Sequence, residues 1–359
     1  MATAIRIRNF VLYVLPVFLL LVVVLDTCFS GGAILALKQW IVAAATFLIT
    51  FNIFHHYLSY TLLLLPEFRG ILFTNGRPNG LFTEFVVVHA LLLLFSGIVF
   101  LAPFTPWYKG LFYVIYIILL QCGGQFHIGA HNFGVSLLLH QNLAPEQVAA
   151  HEVRLITSWE RAFSCALPAV ILLPFTFARI RGMVPMTPEF YRALRLFVGA
   201  SALLLVFTML AFVFRNRSLA VKKVGFSSSR WFLMALVPMN PFSGQMENLV
   251  HAIEHHVVIF QLWKRSAAKR KWLLALAGAA FCVGLGALFT VVNVAMIFRQ
   301  ELWKGIFDNL EYDRTTLVLL AFVNFWAFGH FYVSARIFRF SDRRVREAGV
   351  PKLFENYGL

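Results

Sequence analysis

The sequence predicts an all-α protein, a polytopic bundle of about eight to ten membrane-crossing segments with one broken hairpin, forming a single integral-membrane domain over residues 1–359. Three observations predict it. Mean hydropathy is +0.76. Only 13% of residues are charged against 60% hydrophobic. Apolar runs of about 17 to 25 residues recur along the chain, the length that crosses a bilayer. Backbone polar groups in lipid must be bonded within their own segment, so the crossings are helices; a barrel would show short alternating segments instead.

Taken in order, Arg6 and Arg8 precede the apolar run Phe10 to Leu25, which is long enough to span and predicts an uncleaved anchor with a cytoplasmic N-terminus. A second span runs from about Ile41 to Leu65, followed by a turn-rich connection with Pro66, Asn75-Gly76-Arg77-Pro78 and Gly80. The third covers about Leu81 to Phe104. The fourth, about Tyr108 to His140, exceeds one straight crossing, and Gly123-Gly124 predicts a kink or local unwinding. Spans five and six cover about Ala162 to Ala178 and Leu196 to Phe214. A basic loop with Arg215, Arg217, Lys222, Lys223 and Arg230 follows, then a broken hairpin over about 231–263, interrupted at Pro238-Met239-Asn240-Pro241. Spans eight and nine cover about Trp272 to Phe298 and Thr315 to Phe338, leaving a cytoplasmic tail over about 339–359.

The net charge of +15 would suggest nucleic acid in a soluble protein. Here Lys and Arg sit in short loops beside spans, so the positive-inside bias accounts for them and no nucleic-acid partner is expected. It places both termini in the cytoplasm of a bacterial-type inner membrane, although Arg179, Arg181, Arg192 and Arg195 fall on the opposite side. Cys28, Cys122, Cys165 and Cys282 have no CxxC spacing and read as packing residues.

Histidine is where chemistry enters. The run Val250-His251-Ala252-Ile253-Glu254-His255-His256-Val257 holds three imidazoles in an apolar helix, His251 and His255 on one face. The pair His127-xxx-His131, the doublet His55-His56, and single His89 and His330 lie on other spans. Counted from the predicted cytoplasmic ends at about 1.5 Å per residue, His55, His89, His131, His255 and His330 all lie roughly 10 to 15 Å deep. Polar groups at that depth are costly unless paired, and clustered imidazoles commonly find that partner in a metal. Eight or so nitrogens exceed the needs of one ion, so the expectation is two metal ions of a kind that neutral imidazole suits: iron, copper, zinc or nickel. Glu84 and Glu254 are the candidate catalytic carboxylates, as bridges or proton handlers; Asn52, Gln125, Asn132 and Gln245 are candidate partners that fix imidazole tautomers.

These boxes resemble those of integral-membrane non-haem di-iron enzymes of the fatty-acid desaturase, hydroxylase and alkane-monooxygenase type, and Ala252-Ile253-Glu254-His255-His256 is similar to the last box of some desaturases. The resemblance covers about thirty residues. The doublet comes first here, no middle His-xx-His-His box is present, and the boxes sit inside apolar helices. What the resemblance implies is therefore the di-iron, oxygen-activating chemistry, with zinc or copper as alternative metals, and not the desaturase fold: an oxidoreductase using O2 on a lipid-like substrate, with an electron-donor protein as partner. Two other classes compete. Haem binding would use His127 and His140, thirteen residues apart. A metal or proton transporter would place histidines at several depths.

Overall fold

The computed structural model describes residues 10–30, 55–56, 58–103, 106–139, 157–158, 160–162, 164–165, 217–236, 242–266, 314–339 and 342–354. Spans six and eight, most of spans two and five, the arginines between 179 and 195, and the proline break at 238–241 lie outside them. The described residues are mostly helical, as an all-α fold requires. The chain divides into two compact units, Met1–Ile41 with Ile117–Glu254 and Glu355–Leu359, and Val42–Tyr116 with His255–Phe354.

In the first unit a π-helical turn, Phe10–Val14, leads into α1 (Leu15–Ser30). In the second unit the sequence just after the second span makes a short helix, α2 (Pro66–Leu72), with proline at its first turn, where its missing N–H costs nothing. A two-residue hairpin follows, pairing Phe73 with Pro78 and Thr74 with Arg77. Its turn residues Asn75 and Gly76 have φ of 52° and 76°, the left-handed pair that Asn-Gly supplies most cheaply. The expected turn is therefore present, with a helix of about two turns added before it. Asn79 then caps α3 (Gly80–Leu101), its side chain accepting from the backbone N–H of Leu81 and Phe82 at 2.9 and 3.2 Å, a cap worth about 1 kcal/mol.

α4 (Pro106–Leu139) is one 34-residue helix, continuous through Gly123 and Gly124, so no unwinding occurs there. It starts in the second unit and enters the first after Tyr116. α5 (Arg217–Leu236) replaces the expected basic loop. The reason is pairing: in the first unit Lys223 is buried against Glu160 at 2.8 Å and Arg230 against Glu254, so neither cation needs solvent. The first arm of the broken hairpin, expected to begin at about Trp231, forms the last turns of this helix. α6 (Phe242–Arg265) is the histidine helix, passing from the first unit to the second at Glu254–His255. α7 (Arg314–Ile337) packs along α3 in the second unit through contacts such as Phe95 with Phe328. The chain continues through α8 (Arg343–Glu347), capped by Asp342, and a 3-10 turn, Val350–Phe354.

Among the described residues two helices are long and apolar enough to cross a membrane, over Leu12–Phe29 and Gly80–Leu101. Only 22% and 17% of these windows is buried, whereas the core helix of a soluble protein would be mostly covered. Val17, Phe18, Leu21 and Phe29 on the first, and Val86, Leu91, Leu93 and Leu94 on α3, face outward. Cys28 is exposed and Cys165 buried, both as free thiols.

Candidate metal centre

The site is built on α6. Ser243, Glu247, His251 and His255 follow one another in four-residue steps, and each is at most 1% exposed. A row at that spacing lies on one helix face, so a polar stripe is buried among Met246, Leu249, Val250, Ala252, Val258 and Ile259. Burying such a stripe is unfavourable unless every group finds a partner.

In the first unit the partners come from α4. His127 and His131, one turn apart, both meet His251: ring centres lie 5.2 Å and 4.6 Å away, with planes at 88° and 87°. Ligand nitrogens of His127 and His251 lie within 4.8 Å of one another. Asn132 donates from Nδ2 to Glu247 Oε1 at 3.4 Å. The other carboxylate oxygen, Glu247 Oε2, meets no hydrogen-bond donor among the described residues, nor does Asn132 Oδ1 or Gln125 Oε1.

In the second unit His55, His56, His255 and His330 come together. Ring centres are 4.3 Å apart for His55 and His56, 4.7 Å for His55 and His330, 4.9 Å for His56 and His330, and 5.2 Å for His255 and His330. Ligand nitrogens of His55 and His330 lie within 4.8 Å of one another. Ser59, one turn after His55, stands between two rings: its Oγ is 2.8 Å from His255 Nε2 and 2.7 Å from His330 Nδ1. A hydroxyl has one hydrogen and two lone pairs, so Ser59 Oγ can accept an N–H from both rings while its own hydrogen goes to Ser334 Oγ at 3.3 Å, which sets both tautomers with the opposite ring nitrogens unprotonated.

Most of these separations fit shared ions, while the adjacent rings His55 and His56, at 4.3 Å, are closer and His55 and His255, at 5.4 Å, are wider. A metal–nitrogen bond of about 2.1 Å puts an imidazole centre about 3.2 Å from the ion, so neighbouring ligand rings on one ion are about 4.5–5.2 Å apart. Aromatic pairs in general spread over about 4.5–7 Å, and the observed rings occupy the short end of that range. The donor chemistry differs between the groups: three imidazoles with a carboxylate one turn away on α6 in the first unit, imidazoles with a hydroxyl in the second. The orphaned oxygen of Glu247 is the kind of buried atom that a cation satisfies.

The remaining sequence candidates are placed otherwise. Both nitrogens of His89 are engaged, Nε2 with the Tyr60 hydroxyl at 2.9 Å and Nδ1 with the Phe85 carbonyl at 2.7 Å, which leaves neither for a metal. His256 is half-buried, its ring centre 6.4 Å from that of Phe260. Glu84 binds Arg336, whose Nε is 2.9 Å away, and accepts from Tyr332 Oη at 3.1 Å. Glu254 is ion-paired with Arg230, which also donates to the Leu12 carbonyl at 2.9 Å and covers the Phe226 ring at 3.6 Å. Asn52 and His140, and with His140 the haem pairing, lie outside the described residues, as does the side chain of Gln245. Glu247, Ser59 and Arg230 were not anticipated as parts of the site; the four-residue ladder on α6 was the signal for Glu247.

A shallow apolar groove of about 560 Å³ runs along α3, lined by Ala90, Leu93, Leu94, Gly97, Ile98 and Leu101. No family model matches the chain, and no curated protein and no solved structure matches it either.

Proposed function

We propose that this chain is a polytopic membrane oxidoreductase that uses two transition-metal ions, most readily iron, to activate O2 and oxidise a lipid-like substrate. The observation that carries this reading is the pair of buried imidazole groups anchored by His251 and His255, one turn apart on α6. His127, His131 and His251 hold one ion, with the Glu247 carboxylate as its oxygen donor. His55, His56, His255 and His330 hold the other, and Ser59 locks the ring orientations in the manner of an outer partner. Ions so held supply the one-electron chemistry that O2 reduction requires.

The protein's own residues do the rest. Burial of both groups keeps bulk water from the site. Glu254, neutralised by Arg230, holds the α6 backbone between His251 and His255 against α5. The apolar outward faces of α1 and α3 and the groove on α3 give a lipid-soluble substrate its approach from the bilayer. Arg339, Arg343, Arg344 and Arg346 beyond α7 offer a basic surface to an acidic electron-donor protein or to anionic headgroups on the cytoplasmic side.

Oxygen uptake tests this. Purified protein supplied with iron, a chemical reductant and lipid extract is expected to consume O2 and yield oxidised lipid, and His251→Ala is expected to lower the rate by more than the roughly 10–100-fold that loss of an outer partner costs. Equal rates in the wild type and the variant would contradict the reading.

A further inference from the structure

Tyr60 and His89 form a second chemical device that the metal sites do not use. The His89 ring is fixed by its partners: the Phe85 carbonyl can only accept, so Nδ1 carries the hydrogen, and Nε2 must accept the Tyr60 O–H at 2.9 Å. The phenol is thus already bonded to a neutral base. Its ring meets Trp326 edge-on, with centres 4.5 Å apart.

Position matters as much. Tyr60 follows Ser59, the residue bonded to His255 and His330. Its hydroxyl approaches α7 so closely that a Cβ on Gly329 would lie 2.0 Å from it, and that glycine directly precedes His330. From standard backbone dimensions the phenol oxygen is at most about 7 Å from the His330 Cα. A side chain at residue 329 would push the phenol off His89, so glycine here is what admits the hydrogen-bonded pair beside the imidazole group.

We propose that Tyr60 is a redox-active tyrosine with His89 as its proton acceptor, storing one oxidising equivalent next to the second-unit histidines; as a working relay this rests on the metal reading above. In the forward step the Tyr60 O–H bond breaks. The electron leaves to an oxidised transition-metal ion held by those histidines, and the proton moves to His89 Nε2, giving a neutral phenoxyl radical beside an imidazolium that keeps its Nδ1–H on Phe85. The reverse step takes one electron from a donor or substrate and returns the proton from Nε2. A phenol whose proton has a fixed destination within hydrogen-bond reach avoids the strongly acidic phenol cation radical, and the positive charge comes to rest on the part-exposed His89 ring instead.

The experiment uses a photogenerated ruthenium(III) polypyridyl complex as one-electron oxidant on the full-length protein, both as purified and after chelation, with rapid freezing and electron paramagnetic resonance. The expected result is a phenoxyl signal in both preparations that narrows when tyrosine is ring-deuterated. It disappears in Tyr60→Phe while bound metal is unchanged, and decays faster in His89→Phe with added imidazole restoring its lifetime. A signal that survives in Tyr60→Phe, or none in the wild type, would overturn the proposal. Because the chelated protein carries the same test, that outcome stands apart from failure of the metal reading, which shows as loss of metal from the wild type on washing. Metal loss in Tyr60→Phe would assign the pair a packing role and overturn the proposal as well.

Discussion

Arg230→Met is expected to destabilise the protein by about 3–5 kcal/mol, the cost of leaving the partner of a buried ion pair uncompensated. Arg230 is 1% exposed and Glu254 0%. The guanidinium also donates to the Leu12 carbonyl and lies on the face of Phe226, so its loss unties the N-terminal turn from α5 as well as stranding the carboxylate. Because the cost comes from the stranded charge rather than from the pair's net worth, Arg230→Met combined with Glu254→Met is expected to recover much of the single-variant loss. Denaturant unfolding in mild detergent measures both. A single-variant change below about 1 kcal/mol, the range of an exposed pair, would contradict the buried assignment.

The second large effect concerns the two histidine groups separately. His251→Ala is expected to empty the ion held with His127 and His131, and His330→Ala the ion held with His55 and His56, so each loses about half of the bound metal. Ser59→Ala keeps every imidazole but releases the tautomers of His255 and His330, and is expected to weaken metal binding by about 10–100-fold without abolishing it. Glu247→Gln separates a carboxylate donor from a merely polar one: it keeps the bond from Asn132 in shape but removes the anionic oxygen, so it is expected to weaken the first ion and spare the second. Metal titration with a competing chelator reads all four. A uniform small effect across them would mean that the rings are held by their hydrogen bonds alone.

What was legible in the sequence followed from residue type and period. The bounds of α3 and α7 were expected within about three residues because long apolar runs closed by charge or a capping asparagine leave little choice. The histidine boxes were visible because imidazole in an apolar helix is conspicuous, and the four-residue spacing put His127 with His131 and His251 with His255. The basic stretch before Trp231 was not legible. A loop cation and a buried one look alike until the carboxylate is found, and the partner of Lys223 is Glu160, 63 residues away. His89 shows the converse: by residue type and depth it matched His55, but a phenol and a carbonyl take both its nitrogens. Glu247 is hidden in the sequence because it lies in the polar first turns of α6, next to the proline break, where a carboxylate reads as a boundary rather than as a member of the stripe.

The most direct measurement of the central claim is elemental analysis of the purified, chelator-washed chain combined with X-ray absorption at the edge of whichever metal is found. About two tightly held transition-metal ions per chain are expected, with nitrogen neighbours near 2.1 Å and the outer-shell scattering of imidazole rings. A chain that keeps no stoichiometric metal, or holds it without imidazole scattering, would contradict that claim.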